Sequence, residues 1–477
     1  MRVRALASRV LALLVGLAAI NAGVAAAVPE FYTLQRIQFG ETLTSPAKAP
    51  AVAWTFDANA GAEVKLQLQG ATAIWVRGPK RLGGNWNTIW KPAVPADGVV
   101  AFAVPRSGRY GVFVKRRSAR QVRLTLTCAR APCEQTTWSQ SLPADSLSII
   151  AVGDTGLQPH RAPHDPYGGY KYEEFHLYTE MMEGFERFLD AGDVNIVNVE
   201  TAITNARKPS PKKYNFRMHP NALYALVRSG FDVFAMANNH AGDYGLKGIT
   251  DSLDALTRAK KINPAIAHAG IGRTRATAIK PVLFTRKGVR IAYGSVGFGF
   301  SHKPSGPYMA TLGDVPKLLA AMRATDADLK ILSAHFGSER ALIPARDPKK
   351  FARDAIDGGI DLFHGHHPHV VQGIERRGNG IILYSVGNFL LRGARNMGTL
   401  NMDMDYGAAV RLGFDIAKKR IHALEVVPVY DMHRVVFPLK PDAARQRIER
   451  LNVRSQALED GIQLQVDVTT GFGYANF

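Results

Sequence analysis

Five apolar runs in this chain end on residues that apolar runs do not ordinarily reach. FDVFAMANNHAGDYG, residues 231–245, is apolar from Phe231 to Ala237, then breaks into Asn238, Asn239 and His240, with Asp243 three residues on. LSIIAVGDTG ends on Asp154, VNIVNVETA on Asn198 and Glu200, and LKILSAHFGSE on His335, with Glu339 four residues further. IDLFHGHHPHV ends on His364, His366, His367 and His369, four of the chain's 14 histidines, so the clustering is not compositional. Amides, carboxylates and imidazoles beside a core cost free energy unless something there needs them. A satisfied buried polar group accounts for any one of these residues, but not for five strand ends together. In an open α/β sheet ligands bind outside the carboxyl ends of the strands, so the pattern predicts one edge carrying all these groups.

Helical-period segments lie between most of the runs, at Glu173–Ala191, Asn221–Ser229, Gly248–Ala259, Val315–Ala324 and Lys349–Gly358, and RIAYGSVGF and GIILYSVGNF supply further strands. Strands alternating with helices predict an α/β domain over residues 145–435. A charged helix at Asp442–Glu459 and a strand-like end follow, read as a C-terminal extension over 436–477. At 477 residues the chain exceeds one ordinary core, which makes a second domain the expectation. From Val28 to Gln140 short β-branched and aromatic runs alternate with Gly, Pro and Asn turns. They predict a small all-β sandwich over 28–140, jelly-roll-like in general pattern, joined near Ser139–Ala144. Its Trp54, Trp75, Trp86 and Trp90 are read as core, with a sugar-binding face as the alternative.

The start, MRVRALASRVLALLVGLAAINAGVAAAVPE, has a basic region (Arg2, Arg4, Arg9), an apolar stretch from Val10 to Ile20 and an Ala25-Ala26-Ala27 cleavage site. This predicts a secretory signal over 1–27. The apolar stretch is short for a membrane span of ~20 residues, and no other stretch is long and apolar enough to cross. The expected location is therefore the periplasm or cell surface of a bacterium. Cys128 and Cys133, the only cysteines, suit a small disulfide loop in an oxidising compartment. The formal charge of +20 favours anionic partners. Nucleic acid is not expected, since no zinc-finger, helix-turn-helix or RNA-recognition signature occurs.

The candidate ligands are nitrogen and oxygen donors without thiolate, a set suited to Mn²⁺, Fe²⁺ or Zn²⁺ more than to Ca²⁺ or Mg²⁺. They outnumber the needs of one ion. Two ions sharing bridging groups would use them all and suit phosphate-ester hydrolysis.

GDTG, NVETAIT, ANNHAGDYG, HFGSE, GHHPHVVQ and YSVGNF occur in this order between Ser148 and Asn388. Together they resemble the CapA-type poly-γ-glutamate capsule-synthesis proteins, of the calcineurin-like metallophosphoesterase superfamily. The resemblance implies a metallophosphoesterase domain of β-α-β layered sheets. The superfamily pattern is Asp-x-His, Gly-Asp-x-x-Asp, Gly-Asn-His-Glu, His and Gly-His-x-His. It implies Asp154, Glu200, Asn239, His335, His367 and His369 as metal ligands, with His366 an alternate because GHHPH is one residue longer than the pattern. It implies His240 as the acid that protonates the leaving oxygen or as the group that holds the phosphoryl, its ring oriented by Asp243, while a metal-activated water attacks the ester-like centre. Two departures bear on the metal count: Gly156 stands where the pattern has a histidine, and Glu200 replaces the bridging aspartate.

In KPSPKKYNFRMHP, with Lys212, Lys213, Arg217 and His219, the Arg217 guanidinium is a candidate for holding an anionic substrate, a solvated basic loop being the alternative. Asn388 matches the last motif and is expected to position the GHHPH loop and line the substrate site. The function implied is that of an exported metal-dependent hydrolase acting in the synthesis, release or modification of an anionic envelope polymer. Its expected partners are that polymer or a phosphate ester, and envelope polymer-synthesis membrane proteins. The alternative is a metal-stabilised binding or assembly component of the same machinery.

Overall fold

The structure is a computed structural model that describes residues 35–37, 40–45, 52–58, 61–78, 88–90, 92–105, 108–116, 121–130, 137–157, 178, 181–299, 306–392, 404–430, 432–433 and 435–477. The signal-like segment, Cys133 and the Trp86 and Trp90 side chains lie outside them. The chain divides into two compact units, the first ending at residue 133.

In the first unit the described residues form a five-stranded and a four-stranded sheet and no helix. Pairing is antiparallel except for Gln35–Arg36 against Val52–Ala58. In Glu63–Gln69, inward Val64, Leu66 and Leu68 alternate with exposed Lys65, Gln67 and Gln69, the signature of a strand with one solvated face. These side chains meet Trp54, Phe56, Ile74, Val112, Leu124 and Leu126 from both sheets in one apolar cluster. Trp54 is core, 1% exposed, and Trp75 is half-buried.

The second unit is mixed α/β. Its site-bearing strands are β1 (Ser146–Leu157), β2 (Val194–Val199), β3 (Val233–Ala235), β4 (Leu329–His335), β5 (Leu362–His366) and β6 (Asn388–Arg392). β1, β2 and β3 run parallel in the larger sheet. β4 and β5 run parallel in a six-stranded sheet that also holds Val289–Gly297 and Gly380–Leu383. Alternation along the strands shows how the layers stack. Ile149 and Ala151 of β1 join Ile291, Tyr293, Leu329 and Ile331 of the other sheet in one cluster, whereas Ile150 and Val152 face the layer of α1 (Pro220–Arg228) and α2 (Gly245–Ala259). Leu332 and Ala334 of β4 likewise face α3 (Val315–Arg323) and α4 (Arg346–Asp357). The order is helices, sheet, sheet, helices. Strands buried on both faces need continuous apolar sequence, which is why these runs read so plainly.

Three expectations change. The joint placed at Ser139–Ala144 lies inside the second unit, where Trp138 Nε1 donates to Phe188 O at 2.9 Å and Ser139 N donates to Glu425. The segment after 436 is integral: Gln465–Val466 and Gly473–Asn476 are strands of the larger sheet, and Ile448 and Leu451 of helix Pro441–Gln456 enter the inter-sheet core. Of the helix expected at Glu173–Ala191, the described part contains Glu186–Leu189 with turns before it. There Met181 O accepts from Val436 N, a tertiary bond in place of a helical one.

β1 and its neighbours fix the edge that matters. β1 does not end at Asp154 as its sequence suggests. Up to Ala151 it pairs with Gly407–Asp415, and from Asp154 onward with β6, with register shifts on both sides of Asp154. Such irregularities bend a strand and re-aim a side chain. GIILYSVGNF makes the matching move: Gly380–Leu383 lies in the smaller sheet, and after Gly387 (φ +70°) the chain enters the larger one as β6. A Cβ on Gly153 would lie 1.9 Å from Gly387 O. Gly153→Ala is therefore expected to lower stability by about 3 kcal/mol. Gly378→Ala, at a turn with φ +57° and open space around it, should cost about 1 kcal/mol. Urea unfolding followed by circular dichroism checks both.

Candidate metal centre

Asp154 is fully buried. Its Oδ1 accepts from Asn198 Nδ2 at 2.8 Å and lies 3.2 Å from His366 Nδ1, while Oδ2 accepts from the His367 backbone N–H at 3.2 Å and lies 3.3 Å from His369 Nδ1. Burial alone would raise its pKa, but the close His366 and His369 ring nitrogens and the charge of the surrounding imidazoles hold it well below the carboxylate range. Asp154 is thus an anion in place.

Glu200 follows β2 and is equally buried, yet neither of its oxygens has a hydrogen-bond partner. Its Oε1 faces His335 Nε2 at 3.3 Å, His369 Nε2 at 3.7 Å and His240 Nε2 at 4.0 Å. Burial pushes its pKa up to about 7. Two groups of ligand atoms mutually within 4.8 Å occur among the described residues: Asp154, Glu200 and His335, and Glu200, His367 and His369. Glu200 belongs to both.

The imidazoles are aimed by their second nitrogens. His369 Nδ1 bonds Asn388 Oδ1 at 2.8 Å, which leaves Nε2 toward Glu200. Burial disfavours charge on this ring, but the Glu200 and Asp154 carboxylates and Asn388 lift its pKa to about 10. His335 Nδ1 meets Asn198 Nδ2 at 3.0 Å, and its Nε2 meets Asn239 Oδ1 at 2.9 Å; burial pushes its pKa down. His367 is held neutral by burial, at about 3, and its Nδ1 has no partner. His367 (φ 96°) and His369 (φ 58°) both adopt left-handed backbone, a strain that persists where surroundings dictate it, commonly at functional sites.

His240 stands at the edge of this cluster. Its Nδ1 bonds Asp243 Oδ2 at 2.6 Å and its ring stacks on Phe216, centroids 3.9 Å apart. Asp243 also accepts from Phe216 N and Lys212 Nζ. Of the paired amides after β3, Asn238 is a stitch, donating to Val199 O at 2.7 Å and accepting from His240 N at 3.1 Å. Asn239 faces the cluster.

The structure thus brings together Asp154, Glu200, Asn239, His335, His367 and His369, with His240, Asp243 and Asn388 around them. Arg217 is elsewhere: its guanidinium bonds Ala206 O and lies over the Tyr244 ring at 5.7 Å. Glu339 is exposed. His366, fully buried behind Asp154, has neither ring nitrogen in a hydrogen bond of good geometry. The sequence names Asn198 and Lys212 without giving either a role in the site, where Asn198 links Asp154 to His335 and Lys212 bonds Asp243; Phe298, whose ring lies 4.7 Å from His367, went unnamed. Only Asn198 carries a sequence signal, a polar residue inside an otherwise apolar strand. Cys128 lies within strand Arg123–Arg130.

These donors fit a divalent ion. Buried carboxylate oxygens and imidazole nitrogens left without partners are what a metal would satisfy, and the mixed oxygen and nitrogen set without sulfur suits Mn²⁺, Fe²⁺ or Zn²⁺.

Fold and site define an α/β protein with a candidate divalent-metal centre at the carboxyl ends of its strands. The chain belongs to the family described as bacterial capsule synthesis protein PGA_cap, which matches residues 148–392, a span from β1 to the end of β6 that contains every candidate ligand. The "PGA biosynthesis protein CapA" of Bacillus subtilis (strain 168) is 28% identical over 276 residues, covering 55% of this chain and 68% of that protein. The "Capsule biosynthesis protein CapA" of Bacillus anthracis is 27% identical over 300 residues, covering 58% and 69%. A "Probable polyglutamine synthesis accessory protein" of Mycobacterium tuberculosis (strain CDC 1551 / Oshkosh) is 34% identical over 214 residues, covering 42% and 55%. The solved 5'-nucleotidase of Candida albicans SC5314 aligns over 61% of this chain and 53% of its own at 12% identity with a TM-score of 0.34, too loose a likeness to assign a fold.

An unpartnered buried carboxylate destabilises the metal-free protein, and the glutamine isostere removes its charge. In chelator-treated protein Glu200→Gln should raise Tm by a few degrees, and it should abolish the further rise that Mn²⁺ or Zn²⁺ gives the wild type. Differential scanning fluorimetry reads both; a lower Tm in chelator would contradict the assignment.

Proposed function

We propose that this chain is an exported, metal-dependent hydrolase of the metallophosphoesterase type, acting on an anionic envelope polymer in its synthesis, release or modification. The observation that carries the reading is Glu200, buried with both oxygens unpartnered and shared by two ligand groups. Asp154, Glu200, Asn239, His335, His367 and His369 would hold two ions of Mn, Fe or Zn. Bound there, such ions supply Lewis-acid polarisation of an ester-like oxygen and a water acidic enough to act at neutral pH.

The chain's own residues do the rest. Asp243 accepts a hydrogen bond from His240 Nδ1–H, so that Nε2 faces the cluster, and the imidazolium form carries on Nε2 the proton delivered to the departing oxygen. Asn388 keeps His369 turned toward Glu200, and Phe216 keeps the His240 ring in plane. Hydrolysis adds water across the bond, the hydroxyl going to the electrophilic centre and a proton to the leaving oxygen. The resemblance to CapA-type proteins suggests poly-γ-glutamate as the polymer, and the basic surplus of the chain suits an acidic partner. The signal-like N-terminus supports export.

A second reading, a metal-stabilised binding or assembly component working with envelope polymer-synthesis membrane proteins, is favoured by the "accessory" in the Mycobacterium relative's name. His240→Ala separates the two. For the hydrolase, turnover of phosphate esters or γ-glutamyl polymer falls about 10²–10⁴-fold while metal content is unchanged. A variant that binds polymer and supports its assembly as the wild type does would establish the binding component instead.

A further inference from the structure

Residues 207–216 lie as a strap over the loop that carries Asn239, His240 and Asp243. Ser210 N donates to Asp243 O at 2.7 Å, Ser210 Oγ donates to Gly242 O at 3.1 Å, and Phe216 contributes its backbone N–H to Asp243 and its ring to His240. Most of this needs no lysine. Yet the strap places the Lys212 ammonium inside the site: Nζ donates to Asn239 O at 2.7 Å, bonds Asp243 Oδ1, and stands 3.4 Å from His240 Nδ1. His240 Nδ1 is already committed to Asp243, so it is not an acceptor for the ammonium. A lysine has three N–H donors, and among the described residues only two are used. The side chain is 34% exposed, so solvent or a ligand can reach it. The ammonium is separated from Glu200 by the width of one imidazole, since His240 Nε2 lies 4.0 Å from Glu200 Oε1.

Two neighbouring cations, Arg217 and Lys213, are engaged otherwise. Arg217 is tied to Ala206 and Tyr244, and Lys213 Nζ lies over the Tyr214 ring at 5.2 Å. Asp243 and the Asn239 carbonyl take two N–H groups of this ammonium and leave the third for a ligand. We propose that Lys212 is a specificity-determining residue that hydrogen-bonds a second acidic group of the substrate, a carboxylate or phosphate carried next to the bond being cleaved, while the metal centre holds the reacting group.

This rests on the hydrolase reading, and the test separates the two by measuring binding without turnover. Metal-loaded protein is titrated calorimetrically with methylphosphonate, which carries one anionic group, and with phosphonoacetate and 3-phosphonopropionate, which add a carboxylate at two distances. The wild type should bind at least one carboxylated probe about tenfold more tightly than methylphosphonate, the worth of one charge-assisted hydrogen bond. Lys212→Met should bring that ratio close to one, and Lys212→Arg, which keeps a cation, should retain most of it. A ratio unchanged in Lys212→Met, including the case where all affinities fall by one factor because the strap has loosened, overturns the assignment and leaves the hydrolase reading standing. Failure of the metal-loaded wild type to bind any of the three overturns the phosphoesterase-type reading and the Lys212 assignment with it.

Discussion

The Glu200 carboxylate, buried with nothing to accept from, sets the terms for the rest of the site. Taking an ion out of water without a partner costs on the order of several kcal/mol even after relaxation. Convergence lowers this cost without removing it: three imidazole Nε2 atoms, from His240, His335 and His369, face Oε1 from the ends of different strands and the loops after them. Delivering them requires the two sheets to present their carboxyl ends together. That in turn requires β1 to change partners at Asp154 and the Gly380–Arg392 stretch to pass from one sheet to the other at Gly387. The close approach of Gly153 to Gly387 is the hinge of that exchange, and a side chain there would have no room.

Around this core the polar contacts form a shell in which each ligand is turned by a second residue. Asn388 turns His369, Asn198 stands between Asp154 and His335, and Asp243 turns His240. Outer contacts of this kind fix tautomers and ligand basicity. They also explain why strained backbone is tolerated at His367 and His369: the Asp154 bond to the His367 amide and the Asn388 bond to the His369 ring hold the turn from both ends.

Much of this was legible because strands buried on both faces must be continuously apolar, so a polar residue at their ends stands out. The helices over Pro220–Arg228, Gly245–Ala259, Val315–Arg323 and Arg346–Asp357 fall within a few residues of where periodicity put them. What stayed hidden depends on contacts remote in sequence. The continuation of β1 past Asp154 needs β6, more than two hundred residues away, and of the final strands Gly473–Asn476 pairs with Arg420–Tyr430 while Gln465–Val466 pairs with Gly473–Asn476. Arg217 and Lys212 look alike in the sequence as basic residues of one loop. The fold separates them, because Ala206 and Tyr244 take the guanidinium while Asp243 draws in the ammonium.

Membership of the capsule-synthesis family and a candidate metal centre within the matched span place the central claim on one quantity, the metal bound by the protein. Elemental analysis of the purified protein, wild type beside Asp154→Ala and His367→Ala, measures it directly. The account predicts close to two equivalents of Mn, Fe or Zn in the wild type and fewer in both variants. A wild type that carries no metal, and takes up none when Mn²⁺ or Zn²⁺ is added, would contradict it.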